Sequence, residues 1–181
     1  SQAGEVTMPA PTATVATAYE GSRSMQEQYP GAVQGVTWGG YWGGGLLNPA
    51  TDSVDVDSYN MFAFYLKGDG TENRIEFGVN EYKNGTNDEP FISLDNFSLN
   101  NSSNYKMIKV PFSRLWRNEY PGSVKDDDEF TKKIKSYIFV YRGENTTSNK
   151  HYIDQLQALA WSGPIIDLIG PNYGPAGTTV T

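Results

Sequence analysis

The sequence predicts an all-β protein, an antiparallel β-sandwich of the jelly-roll kind. Apolar residues alternate with period two in several runs, as they do in half-buried strands. Turn signals interrupt these runs roughly every 8–15 residues, the spacing of sandwich folds. Tyrosine (12) and glycine (19) are abundant, and no window of the 181 residues keeps a helical period, apart from a turn predicted after Phe112.

Two strongly alternating strands are predicted first. Residues 61–66 place three large side chains on one face: Phe62, Phe64 and Leu66. A turn is predicted over residues 67–70, where two glycines flank an aspartate. Residues 74–79 then alternate charged and apolar side chains, and the apolar set is predicted to face the core: Ile75, Phe77 and Val79.

The later strands are predicted at residues 90–94, 105–112, 136–141 and 151–159. Residues 136–141 are apolar on both faces, which predicts a central strand covered on each side. His151, the single histidine, begins the last strand and is predicted at the surface.

The two ends of the chain differ from this body, which spans residues 19–161. Residues 1–18 are small, uncharged at their centre and Pro-bearing, which is consistent equally with a linker and with an edge strand. Residues 162–181 are predicted to be a linker and a first strand. The run from Pro164 to Thr181 resembles the opening of an IPT/TIG immunoglobulin-like domain.

Composition excludes several functions. The chain has no cysteine, which excludes disulfide scaffolds, zinc ribbons, iron–sulfur clusters and thiol catalysis. A net charge of −7 argues against binding to nucleic acid, which requires a basic surface. No stretch approaches the ~18 apolar residues of a membrane span, so no membrane insertion is expected.

Catalytic signals are weak. His151 and Asp154 are three residues apart in a predicted strand, so their side chains are expected on opposite faces. No phosphate-binding glycine loop is present. A pair of carboxylates could still serve a glycosidase, and the pattern singles out no such pair.

A glycine-aromatic segment is the most unusual feature. Residues 38–45 place Trp38, Tyr41 and Trp42 among five glycines. Glycine allows a ligand to approach the backbone closely, and neighbouring rings then offer flat faces on which sugars stack. Because strand neighbours alternate, we expect one tryptophan inward and Tyr41 outward.

Polar groups that could hold sugar hydroxyls occur at three further places. One is residues 117–120, where a guanidinium group that donates hydrogen bonds (Arg117), a carboxylate that accepts them (Glu119) and an aromatic ring (Tyr120) lie close together. Asp88 lies in a predicted acidic loop, and Tyr141 ends the central strand. Each also has a plain structural interpretation, as a solvated loop or as core packing.

The order of these motifs resembles family 11 of the carbohydrate-binding modules, over about Tyr19 to Ala160. The motifs that carry the resemblance are Tyr19-Glu20-Gly21, Gly40-Tyr41-Trp42-Gly43, Phe64-x-Leu66-Lys67-Gly68-Asp69-Gly70, Val110-Pro111-Phe112-Ser113, Arg117-Asn118-Glu119-Tyr120, Ile138-x-Val140-Tyr141 and Tyr152-Ile153-Asp154.

This resemblance implies a jelly roll whose concave face binds β-1,4-glucan or mixed-linkage β-1,3-1,4-glucan without cleavage. The binding residues that the resemblance implies are Tyr41, Asp88, Arg117, Glu119, Tyr120 and Tyr141, and the glycine-aromatic segment adds Trp42 as a candidate. Two positions depart from the family pattern: Glu119 replaces an aspartate, and Lys135 stands where another family aspartate is expected.

The resemblance also implies a structural calcium ion, with Glu20 and Asp154 at the matching positions. It further implies an extracellular or bacterial cell-surface location, near a glycan-degrading enzyme or surface uptake proteins. Two alternatives stay open: a hydrolase or lyase using a pair such as Glu119 and Asp88, and a structural or adhesion module.

Overall fold

The computed structural model describes residues 12–14, 17–29, 38–45, 54–69, 74–83, 87–93, 97–98, 104–117, 132–142 and 149–164. These ranges confirm the predicted all-β class: they contain twelve strands and no α-helix. One short 3₁₀ turn, Phe112–Arg114, lies where a turn was predicted. Within the same ranges, no helix is long and apolar enough to cross a membrane.

The strands form two sheets in which every pairing is antiparallel. In chain order they are β1 Thr12–Thr14, β2 Ser24–Tyr29, β3 Trp38–Gly45, β4 Val54–Asp55, β5 Met61–Lys67, β6 Arg74–Lys83, β7 Asn87–Ser93, β8 Phe97–Ser98, β9 Lys106–Pro111, β10 Leu115–Arg117, β11 Lys133–Arg142 and β12 Asn149–Leu159. The five-stranded sheet has the order β1-β2-β12-β5-β9. The seven-stranded sheet has the order β10-β7-β6-β11-β3, with β4 paired to β11 and β8 to β6.

Phenylalanine rings join the two sheets at the centre of the core. Phe64 comes from β5. Phe77 and Phe139 come from β6 and β11, which are neighbouring strands of the seven-stranded sheet, and they occupy paired positions there. The three ring centroids are 5.1 to 5.3 Å apart, and each ring is at most 1% exposed. Tilted and edge contacts of this kind add about 0.5–1.5 kcal/mol per pair beyond apolar burial. The inward positions predicted for residues 61–66 and 74–79 are therefore confirmed.

A bulge at Lys135 shifts the register of β11 against β6 near the first residues of β11. Ser136 pairs with Asn80, but Ile134 pairs with Glu81, so Lys135 is an extra residue opposite β6. This shift returns Ile134 to the core side, where it is 2% exposed, although its number differs in parity from that of Phe139. The side chain of Lys135 is exposed.

The prediction that His151 lies at the surface is wrong: it is 1% exposed. β12 is an interior strand between β2 and β5, so a residue on its core side is covered from both edges. His151 pairs with Glu27, itself 1% exposed, and shares its face with the core residue Ile153. Burial lowers the pKa of His151 to about 4, against an opposing effect from Asp69.

Acidification should therefore destabilise the fold through His151. The unfolded imidazole takes up a proton near pH 6.5, whereas the buried one remains neutral down to about pH 4. The stability that the neutral, buried His151 contributes is complete above pH 6.5, and it is lost as the pH falls toward 4. Between pH 7 and pH 5 it should lower the free energy of unfolding by about 2 kcal/mol.

Urea denaturation of the parent and of His151→Gln at both pH values measures this difference. All other titrating groups are shared, so the variant should lose about 2 kcal/mol less than the parent. Equal losses in the two proteins would contradict a neutral, buried His151.

Candidate functional site

The strand register defines which residues lie on the outer face of the seven-stranded sheet. In β6 the residues Ile75, Phe77 and Val79 are fully buried in the core, so the alternate positions lie on the other face. One row of paired residues crosses all five main strands on that outer face: Gly43, Ile138, Gly78, Ile92 and Trp116. Four strand spacings make this row about 19 Å wide.

Tyr41 belongs to this outer face. It pairs with Val140 of β11, which pairs in turn with Glu76 of β6. Trp42, the next residue, pairs with the buried Phe139 and so belongs to the core-facing row. The register therefore divides the glycine-aromatic segment between the two faces, the division expected from strand alternation.

The other predicted binding residues do not all share that face. The prediction that Asp88 lies in a loop is wrong: it belongs to β7 and pairs with Tyr82, at an outer-face position at the far end of β6. Tyr141 pairs with the core residue Ile75, although the β3–β11 register shifts directly after it. Arg117 pairs with Phe91, whose partner Val79 is a core residue. Glu119 and Tyr120 lie outside the described residues.

Tyr41 and Asp88 are consequently well separated. Their rows meet β6 at Glu76 and Tyr82, six residues and about 20 Å apart along the strand. A ligand that contacts both positions must be an extended chain rather than a single sugar.

The outer face contains polar positions that the sequence interpretation did not select. Asn80 donates a hydrogen bond from Nδ2 to Oγ of Ser136, at 2.6 Å, between neighbouring strands. Glu76 lies in the row of Tyr41 and Val140 and is 6% exposed, so neighbouring groups enclose its side chain. Trp116 occupies the outer row in β10, and its position next to Arg117 was the signal that could have identified it.

A second cluster of predicted residues lies on the five-stranded sheet. Oδ2 of Asp154 accepts hydrogen bonds from the backbone N–H groups of Tyr19, at 2.8 Å, and of Glu20, at 3.3 Å. Its Oδ1 accepts from the N–H of Gln155, at 2.9 Å. The side chain of Glu20 accepts a hydrogen bond from Nε2 of Gln155. The fold thus brings Glu20 and Asp154 to one place, with amide donors on both carboxylates.

This arrangement fits a calcium ion in part. Calcium takes six to eight oxygen ligands, and two carboxylates can supply some of them. Within the described ranges, no group of three or more His, Cys, Asp or Glu residues is placed to hold a metal. The remaining ligands would have to be carbonyl oxygens and water.

Asp154 should stabilise the fold without any metal. Replacing it by Ala removes the acceptor from three backbone N–H groups and should lower the free energy of unfolding by about 1–3 kcal/mol in chelator. Asp154→Asn keeps an oxygen acceptor and should cost less. Urea denaturation checks both variants, and an Asp154→Ala protein as stable as the parent would contradict the anchoring role.

The protein-family comparison gives a match over most of the chain. The model of the "Carbohydrate binding domain (family 11)" matches residues 10–161. Comparison with curated proteins finds no match.

Solved structures with a similar fold include several carbohydrate-binding modules of Clostridium thermocellum. A family 11 module in complex with a β-1,3-1,4-mixed-linked tetrasaccharide is 23% identical, with a TM-score of 0.58 over 83% of this chain and 82% of that one. The family 11 module of the cellulosomal cellulase Lic26A-Cel5E is 22% identical, with a TM-score of 0.56 over the same shares. A family 30 module of another cellulosomal cellulase is 14% identical, with a TM-score of 0.52 over 85% and 84%.

Proposed function

Because the chain belongs to family 11 of the carbohydrate-binding modules, we propose that it binds a β-glucan chain without cleaving it. The ligand is a mixed-linkage β-1,3-1,4-glucan or a β-1,4-glucan. The family 11 module with a bound mixed-linkage tetrasaccharide, which has the same fold, supports this choice. The ligand lies along the outer face of the seven-stranded sheet.

The row across β3, β11, β6, β7 and β10 is the observation that carries this proposal. Glycines occupy two of its five positions, Gly43 and Gly78, so a chain can approach the sheet closely there. Tyr41 is two residues from this row in one edge strand, β3. Trp116 belongs to the row in the other edge strand, β10. Aromatic residues at register positions in both edge strands suit a polymer of pyranose units, whose C–H faces stack on aromatic surfaces.

Tyr41 is the sugar-stacking residue favoured by the register. Tyr41→Ala should weaken binding to barley mixed-linkage glucan by about 1–3 kcal/mol, which is a factor of roughly 5 to 150 in Kd. Isothermal titration calorimetry of the parent and the variant measures this loss. Tyr59→Ala is the matched control, because Tyr59 is 40% exposed in the turn before β5.

The controls also separate this proposal from its alternatives. Unchanged binding in Tyr41→Ala would refute the site, and Trp116→Ala then tests the opposite edge. Release of reducing ends from the glucan would indicate a hydrolase using a pair such as Glu119 and Asp88. Absence of binding to glucan, laminarin, xyloglucan, xylan and galactomannan alike would favour a structural or adhesion module.

Tyr120, Tyr141, Arg117, Glu119, Trp42 and Asp88 remain proposed contacts. Asp88 shares the face of Tyr41, and its distance suits a chain that spans several sugar units. Trp42 and Tyr141 occupy core-facing register positions. We therefore expect Tyr41→Ala to reduce affinity more than Trp42→Ala, once both variants are shown to be folded.

A calcium ion at Glu20 and Asp154 is a further part of the proposal. The bound cation would screen the two carboxylates and fix the segment that precedes β2 to β12. If so, millimolar calcium should raise the melting temperature of the parent above its value in EGTA, because a ligand of the native state stabilises it. Glu20→Gln should remove that increment, and an equal increment in the variant would contradict the site.

Such a module acts by proximity. Holding a polysaccharide chain beside an attached or neighbouring glycan-degrading enzyme, or beside surface uptake proteins, raises the local substrate concentration. This role implies an extracellular or bacterial cell-surface location, and the cellulosomal origin of a family 11 module with the same fold is consistent with it. The proposed IPT/TIG-like segment, residues 162–181, lies mostly outside the described residues.

A further inference from the structure

A group of side chains holds the chain just after the last strand, and the proposed glucan site does not use it. Asn60, directly before β5, forms two hydrogen bonds with the backbone of Trp161. Its Nδ2 donates to the carbonyl oxygen of Trp161 at 2.8 Å, and its Oδ1 accepts from the N–H of Trp161 at 2.8 Å. The two residues are 101 positions apart, so this contact ties the segment after β12 to the start of β5.

Asn60 is a firm anchor because its own backbone is bonded on both sides. Its N–H donates to the carbonyl oxygen of Leu159, at 3.0 Å, and its carbonyl oxygen accepts from the N–H of Phe112, at 2.9 Å. The last backbone pair of β5 and β12 is Met61 with Leu159. The side chain of Asn60 therefore continues the bonding between these two strands beyond the end of the sheet.

The indole ring of Trp161 is held separately. Nζ of Lys109 lies 3.5 Å from the centre of the ring, in a cation–π contact. Nε1 of the ring lies 3.5 Å from the carbonyl oxygen of Pro164. Gly163 leaves room for the ring, because a Cβ at this position would lie 2.8 Å from two of its carbon atoms. Residues 161–164 thus fold around the indole. We call Asn60, Lys109, Trp161 and Gly163 the exit clasp.

The exit clasp lies on the outer face of the five-stranded sheet. Lys109 pairs with Ala63 of β5, and its strand neighbours Ile108 and Val110 pack in the core, so Lys109 points to the other side. Ala63 lies on the same outer side between Phe62 and Phe64, yet it is 0% exposed, so this part of the face is covered. The proposed glucan site lies on the opposite side of the sandwich, on the other sheet.

Apolar burial alone does not account for the position of Trp161. The residue follows β12, belongs to no strand and is 37% exposed. Segments that leave a domain are usually poorly ordered unless specific contacts tie them down. Here two hydrogen bonds fix the backbone and a cation fixes the ring. The family 11 match also ends at residue 161, so these contacts lie where the module ends.

We propose that the exit clasp fixes the direction in which the chain leaves the module. The part of the chain after residue 164 is then held in one orientation, on the side of the sandwich away from the proposed glucan site. A bound polysaccharide and whatever follows residue 164 therefore lie on opposite sides of the core. This inference concerns the connection alone and does not depend on which glycan the module binds.

Backbone ¹⁵N relaxation tests whether the exit is ordered. In the parent, the order parameters of Trp161, Ser162 and Gly163 should be about 0.85, the value of rigid backbone. Asn60→Ala removes both hydrogen bonds to Trp161 and should lower these values below about 0.6. Tyr59→Ala is the matched control, because it changes the adjacent exposed residue and should leave the values unchanged.

Variants at two other positions test the indole contacts without touching Asn60. Gly163→Ala forces the ring to move, and Lys109→Gln removes the cation, so both should lower the order parameter of Ser162. Lys109→Arg keeps a cation over the ring and should retain the parent value. These variants keep the inference testable if Asn60→Ala does not fold.

A distance measurement tests the direction itself. The chain has no cysteine, so nitroxide labels can be attached at Lys150→Cys and Pro164→Cys, two exposed positions near opposite ends of β12. Double electron–electron resonance should give one narrow distance distribution. Adding Gly163→Ala should broaden it at least about twofold, because the released segment samples the conformations of a flexible chain.

Three outcomes would overturn the inference. Order parameters below about 0.6 at residues 161–163 of the parent would show a mobile exit despite these contacts. Unchanged order in folded Asn60→Ala and Gly163→Ala variants would show that other groups hold the segment. Equal loss of order in β5 and at residues 161–163 would show that the contacts support the whole sheet rather than the exit. Thermal melting of each variant establishes beforehand that it is folded.

Discussion

The contact between Phe64, Phe77 and Phe139 is the interaction on which the rest of the molecule depends. It joins a five-stranded and a seven-stranded sheet through one ring from each of β5, β6 and β11, and alternate residues of these strands face the same core. The remaining residues of those strands are then obliged to lie on outer faces. The outer face of each sheet is thus a consequence of this single packing arrangement.

Much of the fold could be predicted because its signal is local. The alternation in residues 61–66 and 74–79 needs no knowledge of neighbouring strands, and the apolar run of residues 136–141 marks β11 as central. His151 shows where such reasoning fails. Its burial depends on β2 and β5 lying on both sides of β12, and that pairing joins residues more than 80 positions apart.

The site could be predicted only in part, for a related reason. Segments rich in rings and glycine identify candidate strands, but the face that each ring occupies depends on the register. One step along β3 separates Tyr41, opposite Val140, from Trp42, opposite the buried Phe139. Trp116 was missed because its place in the row arises only when β10 pairs with β7. Bulges add a further difficulty. The extra residue Lys135 changes which residues of β11 face the core, and the residue type at that position does not predict a bulge.

The two outer faces differ in the chemistry that they can recognise. The face of the seven-stranded sheet combines glycine with hydrogen-bonding groups such as Asn80 and Ser136, which suits a neutral chain lying close to the backbone. The face of the five-stranded sheet instead holds the ammonium group of Lys67 between two tyrosine rings, and Asp154 lies on the same face. Because an apolar core separates the two faces, a substitution on the outer face of one sheet need not alter the outer face of the other.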